Sequence, residues 1–159
     1  MICHNIIERA IVNAGIGKMG PNGIEGVTPK VKTIAIPDPA AGQELSYTVP
    51  SGVVLLVQSI FMRLVTDTTI ATRMVRFKIE NATNVVYWYT PLSSQSESLN
   101  VRYFLAPNIP SRGSAYAAQA LPLSDPCLLM PGWVFRTDTA GIQAGDQFTN
   151  IAMTVIEWS

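Results

Sequence analysis

Charge is scarce in this sequence. Asp, Glu, Lys and Arg make up 14% of its 159 residues, against about 25% in an ordinary soluble domain. The eleven acids and eleven bases cancel. No net field draws such a chain to a polyanion, and nucleic-acid binding, which needs clustered Lys and Arg, is not expected. The one histidine, His4, lies near a glycine-rich segment where no third group would orient it as a general base. Two cysteines, Cys3 and Cys127, are too sparse for a disulfide scaffold and read as reduced thiols, one buried and one near the N-terminus. Together with His4 they lack any CxxC or HxxxH spacing, so no zinc site is expected.

Other absences narrow the function further. No glycine-rich phosphate loop precedes a helix, so no nucleotide cradle is expected. Asp138 and Asp146 flank the loop TDTAGIQAGDQ and read as turn caps, not calcium ligands. Asn81-Ala82-Thr83 has the form of a glycosylation sequon and reads as a turn. No run of 18 apolar residues is present, which predicts no membrane span. No basic segment leads into an apolar stretch and a small-residue cleavage site, which predicts no secretory leader. The sequence thus predicts no catalytic set, no metal site and no cofactor.

Apolar residues, by contrast, are plentiful at 48%, enough to rule out general disorder. With so few ions available, much of the surface must be Ser, Thr, Asn, Gln, Ala and apolar atoms. Surfaces of that kind are covered by other chains or aggregate. A permanent oligomer or a place in a larger assembly is therefore expected.

Two regions divide the chain. Residues 1–32 read as an extended, irregular N-terminal arm, broken by Gly15, Gly17, Gly20, Pro21, Gly23, Gly26 and Pro29. Within it, residues 3–13 have the spacing of a short helix, with Ile6, Ile7, Ala10 and Ile11 near one face. A helix this short needs a docking surface, either a partner or the domain's outer wall.

Residues 33–159 read as strands. Val53–Thr66 is the longest apolar run and predicts a long central strand. Arg73–Glu80 alternates, with Phe77 and Ile79 on one face and Arg76, Lys78 and Glu80 on the other. Val85–Thr90 follows, with Trp88 on the face opposite Tyr87 and Tyr89. Further strands are predicted at 99–105, 121–123, 127–130, 133–138 and 148–158, and residues 106–120 read as a long loop. About eight strands at spacings near ten residues predict an all-β fold, an antiparallel β-sandwich or jelly roll.

Three stretches carry a resemblance. PAAGQELSYTVPSG leads into the long apolar strand, TDTTIATRMVRFKIEN follows it, and LLMPGWVFRTDTAGIQAGDQFTNIAMTVIEW closes the chain. Over residues 33–159 the chain resembles the β-sandwich virion proteins of tailed bacteriophages, most of all capsid decoration (cement) proteins. That resemblance implies a non-enzymatic protein on the capsid surface, made in the host cytoplasm. It would bind the major capsid protein and itself, as a homo-dimer or homo-trimer, and bridge capsid subunits.

On this reading the arm and the 106–120 loop clamp neighbouring subunits. The expected interface residues are Ile6, Ile7, Ile11, Lys30, Lys32, Trp88, Ile109, Arg112 and Tyr116. Other readings stay open: a head–tail adaptor or tail subunit, a carbohydrate- or receptor-binding module using Trp88 or Trp133, and, last, an enzyme.

Overall fold

Period-two burial sets the architecture. In the stretch Met74–Glu80, Val75, Phe77 and Ile79 are buried on one face, and on the other only Lys78, which lies under Trp88, is buried. The structure, a computed structural model, describes residues 2–20, 23–114 and 117–159. Helix α1 (Ile2–Asn13) is followed by the antiparallel pair β1 (Lys18–Gly20) and β2 (Gly23–Glu25). Next come β3 (Lys30–Ile36), β4 (Ser46–Thr48), β5 (Val54–Val65), β6 (Met74–Glu80) and β7 (Val85–Tyr89). Then follow β8 (Asn100–Pro107), β9 (Arg112–Gly113), β10 (Ala118–Leu123), β11 (Leu128–Leu129), β12 (Val134–Ala140) and β13 (Gln147–Trp158).

The chain is mostly β, built on two main sheets. The larger has seven strands in the order β3-β13-β5-β8-β10-β9, with β11 also paired to β5. The smaller has four, β4-β12-β6-β7. One apolar cluster draws on both: Leu55, Ile60, Met62, Leu64 and Met153 from the larger sheet meet Val75, Phe77, Ile79 and Phe135 from the smaller. Phe77 stands edge-on to Tyr103 with ring centroids 5.6 Å apart and lies parallel to Phe135 at 6.4 Å. These are favourable aromatic geometries.

Three sequence expectations need correction. The expected helix is present as α1, but the rest of the N-terminal segment is not irregular throughout: it contains β1 and β2, and β3 already begins at Lys30. Glycines at 15 and 26 adopt positive φ at the bends between these elements instead of dissolving them. The sheets are not wholly antiparallel, because β10 runs parallel to β8 from Ala118↔Arg102 to Leu123↔Pro107. Finally, residues 106–120 are not a structureless loop throughout: β8 reaches Pro107, β9 takes Arg112–Gly113, and β10 begins at Ala118. Alanines at 117, 118 and 120 blur the apolar–polar contrast that marks a strand.

One end of the molecule is fastened by ions. Arg73 is fully buried. Its Nε and Nη2 donate to the two oxygens of Asp146 at 2.9 and 3.0 Å, and Nη2 also donates to Asp67 at 2.7 Å. Nη1 donates to the carbonyls of Thr69 and Ala71. The backbone of Arg73 meanwhile exchanges two hydrogen bonds with Gln95. Asp146 does cap its own turn, accepting from the Gln143 N–H, but it also accepts from the Asp67 N–H. Asp138 serves elsewhere, paired with Arg76 and Lys78.

Close packing at this end depends on Gly141, whose φ is +78°. A Cβ there would fall on the Thr72 carbonyl oxygen. The backbone conformation alone makes Gly141→Ala cost about 1–3 kcal/mol, and the clash adds to it. Thermal unfolding of G141A should show a clear loss, whereas Gly132→Ala, at the same kind of φ with open space around it, should lose less.

Candidate functional site

The larger sheet has seven strands against four in the smaller, and part of its outer face is left uncovered. Register fixes which side chains share it, because paired residues point the same way. One cross-strand line runs Arg112–Ala120–Phe104–Phe61–Ala152–Ala35. The neighbouring line runs Ala118–Arg102–Arg63–Thr149. Burial agrees with this assignment: in β8, Val101, Tyr103 and Leu105 are buried while Asn100, Arg102 and Phe104 are exposed. Phe104 is 41% exposed. Among the described residues these lines contain no carboxylate.

The other end of the same face is covered by the chain itself. Ile11 of α1 is fully buried against Val54 and Trp158, with Ile7, Ile16, Val27, Leu56 and Ile156 packed around them. The spacing of Ile7, Ile11 and Ala14 puts them on one helical face. The helix thus finds the docking surface its length demands, on the sheet's outer wall.

On the smaller sheet the outer face is ionic. Arg136 pairs with Glu80 at 2.8 Å, Arg76 with Asp138 at 3.2 Å, and Lys78 also reaches Asp138. The Lys78 ammonium beside it, aided by Arg76, holds the Asp138 carboxyl below its ordinary range. Trp88 sits over this ladder, 47% exposed. Lys78 Nζ lies 4.3 Å and Arg76 Cζ 5.4 Å from its ring centre, and its indole N–H donates to Thr90. Cation–π attraction thus holds the indole flat against its own sheet.

The expected interface residues do not form one surface. Ile11 is spent inside the chain, Ile7 is partly buried beside it, and Ile6 is 45% exposed. The physical reason is that the helix uses its apolar face on its own domain. Lys32 pairs with Glu157 at 3.0 Å, and Lys30 is exposed on the edge strand β3. Trp88 lies on the smaller sheet. Ile109 is half-buried, and Arg112 is exposed on the larger sheet's far edge. Tyr116 falls outside the described residues. Trp133 is partly buried and packs against the core.

Sequence reasoning missed Arg63, Arg102, Phe61 and Phe104. The signal was present in VRYFLA, where the alternation that buries Val101, Tyr103 and Leu105 must turn Arg102 and Phe104 outward. Cys127 is a free, buried thiol, and burial pushes it up to about 11, so it is a poor nucleophile at neutral pH. No protein-family model and no curated protein sequence matches this chain.

Proposed function

We propose that this chain is a non-enzymatic β-sandwich assembly protein that stabilises a tailed-phage capsid from outside, binding the major capsid protein and further copies of itself. One observation carries the reading: the uncovered part of the larger sheet's outer face presents Phe61 and Phe104 together with arginines that have no acidic partner in the chain. Aromatics and Arg are enriched where protein surfaces are covered by other proteins, and Lys, Glu and Asp are depleted there. A second feature supports the reading. The polar groups buried most deeply, Arg73, Asp146, Gln95, Thr137 and Gln119, are engaged in hydrogen bonds that hold loops and strand ends together. They are occupied as structure.

A capsid-stabilising protein must be stiff and must present area. The twelve-residue strands β5 and β13 pair along nearly their whole length, which supplies the stiffness. Repetition over a lattice then multiplies modest single contacts through avidity. The test is to purify phage particles grown with the gene intact and with it deleted. Particles from the intact gene should retain the chain in lattice stoichiometry through a density gradient, and the deleted particles should lose DNA on milder heating. A chain found only at the top of the gradient overturns the proposal.

A further inference from the structure

We infer that the outer face of the larger sheet docks an acidic protein surface, whose carboxylates lodge between Arg63, Arg102 and Arg112. This rests on the assembly role proposed above and names the chemistry of the partner. Arg63 and Arg102 are directly opposite one another on β5 and β8. Like charges so placed repel and cost stability in the isolated sheet. Five other basic residues, Lys32, Arg73, Arg76, Lys78 and Arg136, have acidic partners within the chain. Among the described residues, Arg63, Arg102 and Arg112 have none; Arg9, Lys18 and Lys30 also have none, but they lie on α1, β1 and β3.

Arg63 adds an independent sign. Its side chain is half-buried and its Nε finds no acceptor within the chain, so any pairing must come through the terminal nitrogens of the guanidinium. Beside Arg102, a shallow depression of about 300 Å³ is lined by Asn100, Arg102, Ala117 and Ala118. A carboxylate entering there meets planar guanidinium donors, a geometry suited to bidentate pairing. Phe61 and Phe104 lie on the adjacent line and supply apolar contact that a partner protein would cover. Three cations in a chain of zero formal net charge are too few to follow a nucleic-acid backbone, so the balance favours a protein.

The probe is poly-L-glutamate, titrated against the full chain at low salt, with an oligo-dT strand of equal charge as comparison. The wild-type chain should bind poly-L-glutamate more tightly than oligo-dT, with affinity falling as salt screens the contact. R63Q/R102Q/R112Q should weaken binding at least about tenfold, and R102Q alone should weaken it measurably. The control R9Q/R76Q/R136Q removes the same charge from elsewhere and should bind as the wild type does. Far-UV circular dichroism and melting confirm that each variant is folded. Equal binding by the triple variant and the wild type, equal loss in the control, or tighter binding to oligo-dT overturns the inference. The two readings fail separately. Particles that retain the triple variant as fully as the wild type sink this inference and leave the assembly role standing. A chain that binds poly-L-glutamate through these arginines yet never joins particles does the reverse.

Discussion

Arg73→Met should cost about 3–5 kcal/mol, the usual consequence of removing one partner from a buried ion pair. The guanidinium supplies five hydrogen bonds, three of them to Asp146 and Asp67 and two to loop carbonyls. Methionine fills similar volume but leaves the fully buried Asp146 carboxylate without its cation. The effect has a pH signature. Burial by itself raises Asp146, but the hydrogen bonds from Arg73 and from the Asp67 and Gln143 N–H groups together outweigh it and hold the carboxyl below its ordinary value. A carboxyl lowered on folding contributes stability above its unfolded pKa of about 3.9 and loses it as pH falls through the folded value. In R73M the opposing cation is gone and burial favours the neutral acid, so acid relieves part of the penalty. Melting curves from pH 7 down to pH 4 should show the gap between wild type and R73M narrowing. A gap of constant width would mean that packing, not charge, dominates the loss. Asp146→Leu added to R73M should restore only part of the stability, because Asp146 also accepts from two backbone N–H groups.

The ion cluster also shows where sequence reading stops. Arg73 and Asp146 are 73 residues apart, and nothing local distinguishes this arginine from Arg76, which pairs half-exposed on the outside. Strands were legible because alternation is a local property: β5, β6, β7, β12 and β13 fall close to where period and turn residues put them. Partnership was not, since it is decided by what meets across the sheet. The parallel pairing of β10 with β8 joins residues 16 apart through a Pro- and Gly-containing connection, and its Ala-rich strand has little pattern of its own. The same limit applies to the candidate surface. That Arg102 and Phe104 face outward could be read from VRYFLA. That Arg63 stands opposite Arg102, with Arg112 two strands away, required the register.

The N-terminal helix gives the second large effect, because the sequence leaves its docking surface undecided and the structure places that surface on the chain's own wall. Ile11 is fully buried between Val54 and Trp158, so Ile11→Ala removes the contact that holds α1 down. A buried Ile→Ala change costs about 2–5 kcal/mol. Here it should appear as local release of the helix, since the second apolar cluster is separate from the main core. Proteolysis of a transiently opened segment follows the population of its open form. Trypsin should therefore cut after Arg9 and Lys18 about 30-fold to several thousand-fold faster in I11A than in the wild type. Meanwhile the β-rich circular dichroism should persist, and exposed Val54, Leu56, Ile156 and Trp158 should bind a hydrophobic dye. Equal cleavage rates would show that Ile11 does not hold the helix down, and the N-terminal segment would again be available as a clamp for neighbouring subunits.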